Sequence, residues 1–317
     1  MENIINWILD DNESDDENTG QLQHSRRPRI IRERINWYEI YDGKDFKCRF
    51  RISKDLVGMV LSRIEQKIVH NSERNNAIPP IIQLIVTLRF VASGSFLISV
   101  ADFCGISIAS AQRIVHKVLM SIAEMYNEFV KFPSDRSNIL RTQKENYRLS
   151  GFIRVIGAID GFHVKIRSYG GEDSELFRNR KGFFSLNVQA IVNSKLQFLD
   201  LVVRWPGSTH NATIFDNSRI KARFENGEFG NALLLGDSGY PCLPYLLTPL
   251  QNPQTPNEIL YNESQIRTRS MVERLAIEIE QDIDDNETYN RMNSNLEDNL
   301  HEDERGYLIE NYFGRLI

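Results

Sequence analysis

Beyond Gly151 the sequence changes period, and that change leaves few architectures open. Upstream, over residues 53–131, apolar residues recur at helical spacing. Downstream lie "FIRVIGAI" (152–159), "GFFSLNVQAIVN" (182–193), "QFLDLVVRW" (197–205) and "NALLLGDSGY" (231–240), short runs rich in β-branched residues and bounded by turn signals. A helical stretch, "NATIFDNSRIKARFENG", lies between the last two and ends near Gly227. Over 263–283, Val272, Leu275, Ala276, Ile279 and Ile283 share one helix face. Neighbouring strands, a helix, a further strand and a late helix predict an α/β fold, a mixed sheet flanked by helices.

Two of these runs carry an acid at the same place. "RVIGAIDG" puts Asp160 after an apolar run, with Gly161 expected to allow a sharp exit from the strand. "ALLLGDSGY" does the same with Asp237. A carboxylate beside buried strand ends is costly unless it is paired or binds a cation. Two of them on adjacent strands repel, and a divalent metal relieves that repulsion. Either aspartate alone also suits a turn residue bonded to its own backbone. The repeated pattern favours a shared metal.

The upstream region predicts helices with readable ends. Ser53 is set to cap the first, and Pro79 and Pro80 to start another that Gly94 stops. "SVADFCGISIASAQRIVHKVLMSIAEMY" then reads as two helices joined by the turn "CGIS", a helix-turn-helix. In such a motif the second helix lies in the major groove. Ser107, Ser110, Gln112 and Arg113 would then face outward, with Ile114, Val118 and Leu119 towards the core. The same pattern serves helix pairs that never meet DNA.

Charge is distributed unevenly. Residues 1–25 hold seven acidic residues and no Lys or Arg, and residues 278–304 hold eleven acidic residues against one Arg. The body between them is therefore basic, which suits a polyanionic partner; acidic tails that only aid solubility would leave the same imprint. Residues 26–52 form a basic arm with interleaved aromatics, fitted either to touch phosphate or to wrap the following helices. No apolar run reaches the roughly 18 residues of a membrane span, and the N-terminus lacks the basic and apolar regions of a secretory signal. Cys48, Cys104 and Cys242 lie too far apart for a disulfide framework or a zinc pair, which points to a reducing compartment. The expected order is an acidic disordered tail (1–25), the basic arm (26–52), a helical domain (53–132), an α/β domain (150–277) and an acidic C-terminal tail (278–317).

Taken together, "GAIDGFHVKI" (157–166), "FRNRKGFFSLNVQAIVNSKLQFLDLVVRWPGSTHNATIFDNSRI" (177–220), "LLLGDSGYPCLPYLLTPL" (233–250) and "RTRSMVER" (267–274) resemble the PIF/Harbinger family of DDE transposases and the nucleases derived from it. The resemblance covers roughly residues 55–275. It implies a ribonuclease-H-like DDE core preceded by a small helix-turn-helix region. It also implies that Asp160, Asp237 and Glu273 hold two divalent cations, Mg²⁺ or Mn²⁺, for hydrolysis of DNA phosphodiesters. Nuclear localisation and a Myb/SANT-like DNA-binding partner protein are further implications.

Around that site Lys165, Arg167, Arg178, Arg180 and Lys181 are candidates to hold DNA phosphates, or they line a solvated loop. Asn187 and Gln189, two apart in a strand, share a face, and His163 reads as a packed strand residue. Two departures from the family pattern stand out. Asn211 occupies a position where the family carries an aspartate, so any coordination there is weaker for want of charge. After Arg274 the family continues into a basic segment, whereas this chain runs directly into "LAIEIEQDIDD". A segment missing at that point would leave a second reading, a catalytically inactive core that binds DNA or protein.

Overall fold

The computed structural model describes residues 34–70, 76–168, 170–270 and 272–273. The predicted tails, residues 26–33 of the arm and residues 274–277 lie outside the described residues. Those described divide into two compact units, 34–119 and 120–273.

The first unit is helical. It contains α1 (Trp37–Ile40), α2 (Gly43–Phe50), α3 (Lys54–Ile68), α4 (Pro80–Ser93), α5 (Leu97–Phe103) and α6 (Ile108–Ala123), the last running across the boundary. Each helix end has a local chemical cause. The Asp42 carboxylate accepts from Asp45 N–H at 2.7 Å, and Ser53 Oγ accepts from Leu56 N–H at 3.3 Å. Pro80 begins α4, and Gly94 ends it in the left-handed conformation at φ 58°. Phe46 and Phe50, four apart on α2, are almost wholly buried and stack at 4.5 Å. Trp37 stacks on Phe103 at 4.6 Å and donates its indole N–H to the Phe103 carbonyl at 3.2 Å. Burying such side chains contributes about 1.5–3 kcal/mol each. Within residues 34–52, Phe46 and Phe50 are thus core side chains of this unit, and Trp37 packs the segment against Phe103.

Helices α5 and α6 meet at 99° across the turn Cys104–Ser107. Ser107 Oγ accepts from Ser110 N–H at 3.2 Å and starts α6. Ile114 and Val118 face inward, whereas Arg113 is exposed and Ser110 and Gln112 are half-buried. Among the described residues no single helix is long and apolar enough to cross a membrane.

The second unit is built on a five-stranded mixed sheet in the order β3-β2-β1-β4-β5. After α7 (Tyr126–Phe129) and α8 (Arg136–Ser150), β1 (Val155–Lys165), β2 (Ser185–Val192) and β3 (Phe198–Pro206) pair antiparallel in sequence. Helices α9 (Asn211–Asp216) and α10 (Arg219–Glu225) carry the chain across to β4 (Leu233–Leu235), which lies parallel to β1. Strand β5 (Leu246–Leu247) extends that edge, and α11 runs over 256–270, with 272 and 273 also helical. The helical stretch after β3 therefore breaks into two, because Ser218 Oγ accepts from Lys221 N–H and starts a new helix.

Strand β2 is buried along its whole length, as expected for a central strand covered on both faces. One layer gathers Ile156, Ile159, Ile191, Phe215, Phe224 and Leu234, and another gathers Phe162, Leu186, Val188 and Ala190.

One sequence expectation is corrected here. Asp160 does not follow β1 but sits inside it, opposite Ala190, and Gly161 continues the strand opposite Gln189. The hydrogen-bond ladder with β2 carries β1 on to Lys165, so Gly161 makes no exit turn. Its lack of a side chain serves a close approach instead. A Cβ there would stand 2.3 Å from Asn211 Oδ1.

Candidate active site

The acidic site gathers where β1, β4 and α11 meet. Asp160 is nearly enclosed, with 15% of its side chain exposed. Its Oδ1 accepts from Gly161 N–H at 2.7 Å. Burial lifts its carboxyl from the ordinary range to about 6; the Gly161 N–H and Arg269 pull the other way, while the negative charges of Asp237 and Glu273 raise it further. Those two influences place Asp237 and Glu273 in its electrostatic neighbourhood.

Asp237 is delivered by the end of β4. Gly236 is clamped between strand and helix: its N–H donates to the Leu247 carbonyl at 3.0 Å, and its carbonyl accepts from Gln265 Nε2 at 2.7 Å. Asp237 then turns out of the sheet, its Oδ1 accepting from Gly239 N–H at 3.0 Å. Beneath it, Tyr240 is buried against Phe215, and its hydroxyl has no hydrogen-bond partner among the described residues. Burial, then the charges of Asp160 and Asp237, raise the Tyr240 hydroxyl well above the ordinary tyrosine value, so it stays a neutral donor beside the acids.

Glu273 comes from α11, anchored by Val272 against Ala158 and Val192. Arg269, one turn earlier and only 7% exposed, donates from Nη2 to Glu273 Oε1 at 2.8 Å and lies 3.9 Å from Asp160 Oδ2. Among the described residues, no three His, Cys, Asp or Glu side chains are arranged as a ready cation cage. The donor set itself consists of carboxylate oxygens, one of them buried, and its chemistry fits a hard divalent cation.

Asn211, a weak candidate ligand in the sequence, starts α9 over Gly161 and does not join the acids. Asn187 Nδ2 donates to Asn211 Oδ1 at 3.0 Å and to the Thr209 carbonyl at 2.8 Å, locking the loop onto β2 over Gly161. By strand alternation that is the face opposite the Asp160 side chain. On the same strand Gln189 is almost fully buried, with neither amide atom bonded to another described residue. His163 bonds Ser185 Oγ through Nδ1 at 3.0 Å, a packed strand residue as expected.

The basic residues divide. Arg178 is engaged inside its own loop: it makes a bidentate pair with Glu175 at 2.8 and 3.0 Å, donates to the Gly182 carbonyl, and covers the Phe184 ring at 4.3 Å. Asn179 holds that loop by accepting from the Lys181 and Phe183 N–H groups and donating to Ser185 Oγ. The loop thereby presents Arg180 and Lys181 outward, Arg180 within 3.4 Å of His210 Nδ1. Lys165 is half-buried at the end of β1, and Arg167 is exposed just beyond it. Ser110, Gln112 and Arg113 belong to the helical unit.

Three participants went unread in the sequence: Gln265, Arg269 and Tyr240. The first two were visible in principle, since Gln265, Arg269 and Glu273 repeat at the four-residue spacing of one helix face.

Residues 159–281 match the family model described as "DDE superfamily endonuclease". Over 220 residues the chain is 35% identical to "Putative nuclease HARBI1" of Homo sapiens, covering 69% of this chain and 61% of that protein. The Rattus norvegicus protein of the same name is 36% identical over the same shares. "Protein ALP1-like" of Arabidopsis thaliana is 26% identical over 249 residues, covering 70% of this chain and 61% of that one. The chain thus spans about three fifths of the length of these relatives. No solved structure matches it. Residues 159–281 thus match a DDE-superfamily endonuclease domain, and the chain is similar over most of its length to the Harbinger-derived nucleases.

Proposed function

We propose that this chain is a cation-dependent DNA endonuclease of transposase descent, with Asp160, Asp237 and Glu273 as its working carboxylates. The observation that carries the reading is Asp160, a largely enclosed acid inside a central strand, within reach of the charges of both Asp237 and Glu273. A structural role gives no reason to set Asp237 and Glu273 within electrostatic reach of a largely enclosed Asp160. The three carboxylates would hold Mg²⁺ or Mn²⁺, which when bound supplies Lewis-acid activation of water and offsets charge on a phosphodiester.

The protein's own groups do the positioning. Backbone N–H groups of Gly161 and Gly239 orient Asp160 and Asp237, and Arg269 directs Glu273 towards them. Arg180 and Lys181, carried on the loop that Arg178 stiffens, form a rim suited to the sugar-phosphate backbone, with Lys165 and Arg167 near the strand end. The antiparallel β1–β3 followed by a parallel β4 supports a ribonuclease-H-like architecture. The 99° pairing of α5 and α6 supports a DNA-contacting helix-turn-helix with Ser110, Gln112 and Arg113 at its start. Action in the nucleus, with a Myb/SANT-like partner protein, follows from the same family reading.

A second reading, a core that binds DNA without cutting it, draws on one observation: a guanidinium already set among the acids. Nicking of supercoiled plasmid with Mg²⁺ or Mn²⁺ separates the two. The endonuclease reading expects cleavage by the wild type and none by Asp160→Ala or Asp237→Ala. Cleavage surviving both substitutions removes this site from the reaction. Binding without cleavage by the wild type supports the second reading.

A further inference from the structure

Along α11, Gln265, Arg269 and Glu273 stand four residues apart on the face turned to the sheet. Gln265 is fully buried and pins the helix to the Gly236 carbonyl, the residue before Asp237, at 2.7 Å. One turn later this anchor sets Arg269 between two acids from distant parts of the chain. Its Nη2 is 2.8 Å from Glu273 Oε1 and 3.9 Å from Asp160 Oδ2. Glu273 is 43% exposed at its side chain, so Arg269 is the contact that turns it inward. The guanidinium is itself 9% exposed at its side chain, and its Nε has no hydrogen-bond partner among the described residues. A buried cation of this kind is held in place by its anions, and removing either side leaves the other uncompensated.

We propose that Arg269 is a positioning residue that acts as the resident counter-ion of the acidic site. It holds Asp160 and Glu273 together in the metal-free protein, and a divalent cation loads by displacing it from at least one of them. The competition half of this proposal rests on the cation-binding reading above; the counter-ion half does not. The same oxygens that face the guanidinium are the donors a cation requires, and a fixed positive charge a few ångströms away opposes a second one. Arg269 thereby keeps the crowded acids tolerable before loading and raises the cation concentration needed for loading.

Two measurements on the full chain test this. In metal-free buffer, Arg269→Gln is expected to lower the melting temperature by about 3–8 °C, because it leaves the acids unpaired. In an Asp160→Asn, Glu273→Gln background the same substitution is expected to leave it unchanged or raise it. An equal loss in both backgrounds would mean that Arg269 acts only through packing, and overturns the counter-ion role. Arg269→Lys, which keeps the charge, is expected to retain most of the wild-type value. By calorimetric titration with MnCl₂, Arg269→Gln is expected to bind Mn²⁺ about tenfold more tightly than the wild type. Unchanged or weaker binding overturns the competition. If neither protein binds Mn²⁺, both the cation reading and the competition fail, while the melting comparison still decides the counter-ion role.

Discussion

The two units bury polar groups differently. In the helical unit Gln83 is almost fully buried, and its Nε2 donates to both the Ile68 and Ile78 carbonyls, at 3.1 and 2.8 Å. Thr87, one turn on, donates to the Gln83 carbonyl. In the α/β unit Asn146, Asn187, Gln189, Trp205, Tyr240, Gln265 and Arg269 each keep a buried polar atom with no partner among the described residues. The helical unit contributes one such atom, Asn36 Oδ1. An unpaired buried polar atom costs about 1–3 kcal/mol, so the α/β unit, which holds most of them, is not arranged for stability alone. The helical unit pairs nearly all of its buried polar groups, and the α/β unit carries the acids.

The largest expected effect lies on the reactive side of that contrast. Asp237→Ala should reduce plasmid nicking by at least about a thousandfold with little change in melting temperature, measured by initial rates on gels. The scaffold should respond in the opposite way. Phe50→Ala, which removes a stacked ring, should cost about 3–5 kcal/mol in denaturant unfolding, since the cavity adds to the lost burial. A thousandfold loss of nicking from Phe50→Ala in protein that is still folded would break the division between the units.

Asp160→Asn sharpens the comparison, because here the site should work against stability. The carboxyl is raised from 3.8 to about 6 in the folded protein. The folded state therefore holds the proton more tightly than the unfolded one between those values, and metal-free stability falls as pH rises from about 4 to about 6. Asp160→Asn should flatten that dependence, read from urea melts across pH. Identical pH profiles in the wild type and Asp160→Asn would show the carboxyl to be better solvated than its burial implies. Gly161→Ala is expected to cost about 1–3 kcal/mol by pushing the Thr209–Asn211 loop away, with partial recovery in Gly161→Ala, Asn211→Ala. The smallest effect concerns the rim. Lys181→Ala should reduce the salt dependence of DNA binding by about one phosphate contact, whereas Arg178→Ala should act mainly by loosening its loop.

Much of this layout was legible because local chemistry dictates it. Ser53, Pro80 and Gly94 bound their helices as their types require, and "LLLGDSGY" announced an acid leaving a buried strand at Asp237. Asp160 was identified as a site acid but misplaced, since whether a strand continues past a glycine depends on its neighbour, and β2 supplies partners as far as Ser185. The aromatics of residues 34–52 left two readings open because their spacing fits an arm and a core equally; contacts such as Trp37 with Phe103 are remote in sequence. Arg178 looked available for phosphate for a similar reason, its Glu175 partner being a matter of loop geometry. Arg269 stayed hidden because a basic residue near an acid on a helix is commonplace, and only the approach of β1 makes it a member of the site.

The central claim is that the acids at the β1, β4 and α11 junction form a cation site. Mn²⁺ binding followed by electron paramagnetic resonance in the wild type, Asp160→Asn and Asp237→Asn addresses it without reference to turnover. The account expects bound Mn²⁺ in the wild type and a loss of at least about tenfold in affinity in either variant. Equal Mn²⁺ binding in all three proteins would contradict it.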